Sequence, residues 1–267
     1  DNDSTKTEKD WINYESRIHK NMEKIFDLLE TTNAKASFFV LGWVAEKYPE
    51  IIRSISDKGF EIGSHSTMHQ LVYQQDRKQF QTDVNRSIKT LEDISGEKVK
   101  MFRAPGFSIT ENNKWAFEVL YELGIEIDSS VFPAKRAHGG LPSYGTSEPS
   151  ILHYNGVQLK EFPINIKTIL GKTFIYSGGG YFRISPYFIL NKWSKEDDYI
   201  MSYFHPRDFD PSQPMIQSLS LKRKFKSYVG LKNAESKLKN WLKDFDFTDI
   251  KSADEKINWN KAKIVNL

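Results

Sequence analysis

The chain has 267 residues and carries 38 Lys and Arg against 35 Asp and Glu, a net charge of +3. That near-balance excludes the strongly basic footprint of a nucleic-acid binder, and 39% apolar with 13% aromatic content excludes a chain that is mostly disordered. Cysteine is absent, which removes disulfides, thiolate zinc sites and cysteine nucleophiles together.

Ile18, Met22, Ile25, Phe26 and Leu29 recur at helical spacing and predict an amphipathic helix over 14–31. Ser37–Leu41 predicts a short buried strand within the longest apolar run, residues 36–45. Ten residues cannot cross a bilayer core, which takes about 20, so no transmembrane segment is expected, and no signal peptide is visible. Pro49 opens a helix carrying Ile51, Ile52 and Ile55, and Gly59 closes it. Phe60–Ser64 predicts the next strand, followed by a long helix on Phe80, Val84, Ile88, Leu91 and Ile94 that stops at Gly96. Val99–Phe102 predicts a strand, Trp115 to Leu123 a helix stopped by Gly124, and Ile125–Asp128 a strand. Ile151–Tyr154 and Val157–Phe162 flank Asn155-Gly156, a hairpin signal. Residues 133–150 and 171–186 read as long loops, Tyr199–Phe204 as a strand, Leu238, Trp241, Leu242 and Phe245 as a helix face, and Phe247–Ile250 as a last strand. Alternating helices and strands with short connections predict a parallel sheet with helices outside it. No linker divides the chain, so a single domain over 1–267 is expected.

Chemistry-bearing residues collect where those strands end. His65 and His69 follow the strand ending at Ser64, and imidazoles four residues apart on a helical turn can reach one divalent cation. Arg103 follows the strand ending at Phe102, Asp128 ends its own strand, and His205 follows Phe204. The carboxyl ends of parallel strands are where α/β barrels gather catalytic groups. Taken singly, each has an ordinary explanation: surface histidines, a salt-bridged arginine, a helix-capping aspartate. His19 beside the first helical stripe and His153 in the hairpin keep that ordinary reading.

His65-Ser66-Thr67-Met68-His69, Arg103-Ala104-Pro105-Gly106 and Ile200-Met201-Ser202-Tyr203-Phe204-His205 together resemble the motifs of the polysaccharide deacetylases, the NodB-homology domain of carbohydrate esterase family four. Asp128-Ser129-Ser130-Val131 stands at the fourth motif without its usual Trp, and Tyr203 stands where Leu is usual. Phe39 to Ala45, Ala104 to Thr110 and Ser177 to Arg183 resemble a subgroup from bacterial polysaccharide and O-antigen biosynthesis loci. The resemblance covers residues 11 to 260.

It implies a distorted (β/α) barrel and metal-dependent hydrolysis of an N-acetyl group on a sugar or polysaccharide precursor. His65 and His69 would bind a divalent metal, most simply zinc. His205 would protonate the leaving amine, Arg103 would orient the base, and Asp128 would brace Arg103. Gly106 and Phe107 would meet the oxyanion, and Tyr181 and Arg183, after three glycines, would bind substrate. The family's first motif, an Asp pair giving the base and third metal ligand, has no match here; Asp1, Asp3 and Asp10 have the wrong surroundings. It is expected upstream of Asp1, with the first strand, and this chain alone is expected to hold no tightly bound zinc. The expected partner is an N-acetylated saccharide, lipid-linked or nucleotide-linked, and the expected location cytoplasmic or membrane-peripheral. Two rival readings are a metal-independent amidase on small cyclic amides in the same fold and an inactive carbohydrate-binding relative. His138, beside Gly139-Gly140, is a further candidate to reach substrate. Lys222-Arg223-Lys224-Phe225-Lys226 reads as a solvated basic helix face, with a surface for anionic lipid as the sharper alternative.

Overall fold

A computed structural model describes residues 14–136, 139–169 and 171–267. In chain order the first elements are α1 (Ile18–Thr32), β1 (Ser37–Val40), α2 (Gly42–Lys47), α3 (Pro49–Asp57), β2 (Glu61–Ser64), α4 (Arg77–Ser95), β3 (Met101–Phe102), α5 (Trp115–Glu122) and β4 (Ile127–Asp128). There follow β5 (Ser150–Tyr154), β6 (Val157–Glu161), β7 (Lys167–Ile169), β8 (Lys172–Phe174), α6 (Gly179–Ile184), α7 (Tyr187–Glu196), α8 (Leu221–Tyr228), α9 (Leu231–Asp244), α10 (Ile250–Lys256) and β9 (Lys263–Asn266). Two compact units result. A sheet unit holds residues 35–175, 199–201 and 248–267, and a helical unit holds the described residues up to 34 with 176–198 and 202–247.

The sheet unit is an α/β structure. Its seven strands lie in the order β1-β2-β3-β4-β6-β5-β9. The first four and β6 pair in parallel, β5 runs antiparallel to β6, and β9 pairs in parallel with β5. β7 and β8 form a separate antiparallel ribbon. The helices have local causes. In α4 the Asp76 side chain accepts the Gln79 N–H while the Gln79 side chain accepts the Asp76 N–H, and Gly96 closes the helix at φ 73°. Its inner face buries Phe80, Val84, Ile88 and Leu91. Pro49 begins α3 with a preset φ. Asn155 at φ 47° and Gly156 at φ 82° make the tight β5–β6 turn that Asn-Gly favours.

Three sequence expectations change, and one element goes unread. Residues 42–47 form α2, whose six residues are too few to show a helical period. The stretch 171–186 is not a continuous loop: it contains β8 and then α6, which the glycine run opens. Tyr199–Phe204 makes no strand. Its ladder contact is a single bridge from Tyr203 to Gly178, and the Met201 N–H is taken by the Asn165 side chain. Phe247–Ile250 is not the last strand, because Asp249 accepts the Ser252 N–H and caps α10; the last described strand is β9.

In the helical unit Trp241 of α9 is fully buried, packing on Phe182 and Phe247, and its indole N–H donates to Ser194 at 2.8 Å. Leu238 is buried with it, whereas Leu242 and Phe245 are only half-buried. No described helix is long and apolar enough to cross a membrane.

Candidate active site

Parallel pairing in the sheet unit continues one residue past each strand end and fixes the site's backbone. The His65 N–H donates to Val40 O, Arg103 N–H to Ser64 O, Ser129 N–H to Phe102 O, and Phe162 N–H to Asp128 O. Each strand thus delivers its next residue to the same edge of the sheet.

The histidine loop is not the helical turn its spacing predicts. Ser66 and His69 both lie in the left-handed region, at φ 69° and 58°. Such backbone persists only where the surroundings impose it, and here they are visible. Thr67 donates its N–H to Asp83 Oδ2 at 3.0 Å and its hydroxyl to Asp83 O at 2.7 Å, both on α4. His69 N–H donates to Ser66 Oγ, and Ser64 shares a hydroxyl hydrogen bond with Ser87. Burial pushes the Asp83 carboxyl up, against the pull of the Thr67 donors. The two imidazoles still meet, with ring centroids 5.1 Å apart. His65 Nδ1 lies 2.7 Å from Arg103 O. A carbonyl partner requires N–H at Nδ1, which puts the ring's lone pair, the metal-ligating one, on Nε2. That donor chemistry fits two ligands of a divalent metal. Among the described residues no group of three His, Cys, Asp or Glu is placed to hold one.

Arg103 is held on three sides. Its Nε donates to Ser129 O at 3.1 Å and Nη2 to Ser129 Oγ at 2.7 Å, Nη2 also meets the Met201 sulfur, and the guanidinium stacks 4.3 Å from the Phe39 ring centroid. Gly63 leaves room for that ring: a Cβ there would stand 2.8 Å from it.

Asp128 is fully buried and reaches Arg103 through its neighbours. Its carboxylate accepts the Ser130 hydroxyl, and Ser130 Oγ in turn accepts the Ala104 N–H at 2.8 Å. Directly across from it on β6 lies Glu161, also fully buried, with Oε1 accepting the Val131 N–H at 3.0 Å. Burial raises both carboxyls, and the Asp128 charge pushes Glu161 further, well above the usual carboxylate range. Sequence reading missed Glu161, Ser129, Ser130 and Asp83. The first of these was within reach of the strand-end rule, since it ends β6 as Asp128 ends β4.

Gly106 at φ 63° and Phe107 at φ 53° form a tight left-handed turn after Pro105. The Phe107 N–H donates to Ala104 O and its carbonyl accepts from Gly140. The turn's amide is therefore already spent at Phe107, and Gly106 is the exposed member of the pair.

Within the helical unit, His205 is exposed and its Nδ1 lies 3.5 Å from Asp208 Oδ2, which also accepts the His205 main-chain N–H at 2.9 Å. Burial pushes Asp208 up, but hydrogen bonds from His205 and the charges of His205 and Arg183 more than offset this and hold it below its ordinary value. Tyr181 is exposed on α6. Arg183 is buried, and its guanidinium donates to the carbonyls of Lys226, Ser227 and Val229 and faces Asp208 at 3.3 Å. That is the setting of a structural brace rather than of a group that meets a ligand. His138 lies outside the described residues, as do Asp1, Asp3 and Asp10.

Residues 3–126 match a family model described as polysaccharide deacetylase, and residues 129–255 one described as a domain of unknown function (DUF3473). Over 96 residues, 36% of this chain, the sequence is 35% identical to a peptidoglycan-N-acetylglucosamine deacetylase of Bacillus cereus, covering 35% of that protein. Over 82 residues, 31% of this chain, it is 33% identical to the peptidoglycan-N-acetylmuramic acid deacetylase PdaC of Bacillus subtilis, covering 18% of it. The chain thus spans about a third or less of these curated relatives. A crystal structure of a candidate polysaccharide deacetylase from Mycobacterium smegmatis superposes with a TM-score of 0.61 at 20% identity, covering 92% of this chain and 80% of that one, which establishes a shared fold.

Proposed function

We propose, from the premise that residues 3–126 of this chain belong to the polysaccharide deacetylase family, that the protein hydrolyses N-acetyl groups on a saccharide. The relatives' names point to acetylated amino sugars as the substrate class, and the subgroup resemblance to a bacterial surface-polysaccharide precursor. The observation that carries the reading is the imidazole pair, its rings 5.1 Å apart, with His65 Nδ1 pinned by the Arg103 carbonyl.

His65 and His69 would hold a divalent ion, zinc in our reading. Such an ion, when bound, polarises the acyl carbonyl and lowers the pKa of water. Beside that ion and the base that must take the water's proton, the chain's own residues would supply several further parts. Arg103, fixed by Ser129 and Phe39, offers a positive charge that does not have to reorganise during the reaction. The Gly106 N–H is the better donor for an oxyanion, since Phe107 has spent its own. Asp208 sets the His205 ring with N–H at Nδ1, so proton transfer to the leaving amine runs from Nε2. Tyr181 is free to stack on a sugar, whereas Arg183 shapes the segment that carries it.

The test is acetate release from N-acetylated oligosaccharides together with elemental analysis of the full-length protein. His65→Ala should lose both metal and activity. His205→Ala should lose activity, by about 10²–10⁴-fold for a general acid, and keep its metal. An active His65→Ala protein would sink the metal-dependent reading.

A further inference from the structure

We infer that α8, with the loop that precedes it, is a docking surface for an anionic lipid bilayer. This helix has the reverse of the usual arrangement, because none of its residues is buried. Leu221 is 85% exposed and Phe225 60%, one turn apart on the same stripe. Tyr228, the next residue along that stripe, uses its hydroxyl to accept the Ile216 N–H and donate to Pro214 O. That pins the loop on either side of Met215, which is itself 52% exposed. Lys222, Arg223 and Lys226 stand exposed on the turns beside these side chains.

Rigid support lies underneath. Three carbonyls at the helix's C-terminal end, on Lys226, Ser227 and Val229, are gripped by the buried Arg183 guanidinium of α6. The helix is therefore built into its unit and held with its apolar stripe outward, rather than being an unpacked segment.

Large apolar side chains interleaved with cations fit one occupant in particular. A bilayer surface accepts Leu and Phe into its interfacial region while anionic headgroups meet the Lys and Arg around them. A second copy of this chain on the same face fits poorly, since a two-fold contact would bring the two basic clusters together. This inference does not depend on the hydrolytic reading above.

The test is co-sedimentation of the full-length protein with vesicles of pure phosphatidylcholine and with vesicles containing 30% phosphatidylglycerol (by the ordinary design of such assays, roughly physiological salt). The wild-type protein should partition at least tenfold more strongly onto the anionic vesicles. A cation near the surface is worth about fivefold in partitioning, so Lys222→Gln with Lys226→Gln should weaken it about 25-fold. Leu221→Ser with Phe225→Ser should weaken it at least tenfold. Neither pair is buried, so circular dichroism and the melting temperature should not move. Equal partitioning onto both vesicle types, none onto either, or full binding by the Leu221→Ser, Phe225→Ser variant would overturn the inference. So would a concentration-dependent dimer that this variant dissolves, since the stripe would then be a self-interface.

Discussion

The guanidinium of Arg103 owes its position to a residue with no side chain. Gly63 lets the Phe39 ring lie where Arg103 stacks on it, and a Cβ at Gly63 would meet that ring at 2.8 Å. Gly63→Ala is expected to lower acetate release at least tenfold while metal content stays at the wild-type level, which elemental analysis alongside the activity assay would check. Glu161 gives a prediction of a different kind. Burial and the Asp128 charge hold its pKa up, so the folded protein keeps a proton that the unfolded chain releases above about pH 4. Stability from this pair is then complete below that pH and is lost as pH rises toward the folded-state values. Glu161→Gln keeps a neutral group of the same shape, so its denaturation midpoint should fall less between pH 5 and pH 8 than the wild-type midpoint does. Asp208 and Asp210, held low, act in the opposite sense and are common to both proteins. His65 and Arg103 were legible because each directly follows a strand, and His69 because it stands four residues after His65 in a recognisable spacing. Glu161's place at a strand end was within reach, but its pairing with Asp128 was not, because that depends on a register between strands 33 residues apart, which local sequence does not encode.

Helices with a cap and a full apolar stripe were legible, and so was the hairpin. Asp76, Gly96, Pro49 and Asn155-Gly156 act on the backbone within a few residues, so their effect survives whatever packs around them. Several elements escaped, two of them for reasons that can be named. One is α2, too short for a period; the other is β9, whose Lys263-Ile264-Val265-Asn266 is polar at both ends and becomes a strand by pairing with β5. The reading of Tyr199–Phe204 failed for the converse reason: it is β-prone, but a side chain takes the Met201 amide, and among the described residues its ladder contact is the single Tyr203–Gly178 bridge. For α9 the expectation is quantitative. Trp241 is enclosed among Phe182, Phe247 and Ser194, so Trp241→Ala should cost about 3–5 kcal/mol. Trp241→Phe, which loses chiefly the indole hydrogen bond, should cost nearer 1 kcal/mol. Urea denaturation of the three proteins would separate packing from hydrogen bonding, and equal losses for both variants would mean that the bond dominates.

At the scale of the whole chain, the two family-model matches meet between residues 126 and 129, and that junction falls in β4. One sheet runs across it, with β1 to β3 on one side, β4 at the junction, and β6, β5 and β9 on the other. A fragment ending at residue 126 loses β4 and leaves β3 an unpaired edge, so it is expected to lack a cooperative thermal transition by circular dichroism. The helical unit is equally discontinuous, gathered from three stretches of chain. The sheet unit's ties are long in sequence: Ile250 N–H donates to Ser37 Oγ across 213 residues, and Lys160 pairs with Asp254 across 94. This has a consequence for biosynthesis. Loops of that length close slowly because their entropy must be lost before any contact rewards it. A ribosome adding about 5–20 residues per second would finish β1 to β6 several seconds before β9 emerged. Through that interval the outer edge of β5 would stand open, an invitation to pair with the wrong chain. Production of this protein should therefore be limited by how well that one edge is shielded during translation, and slowing synthesis late in the message should lower the soluble yield.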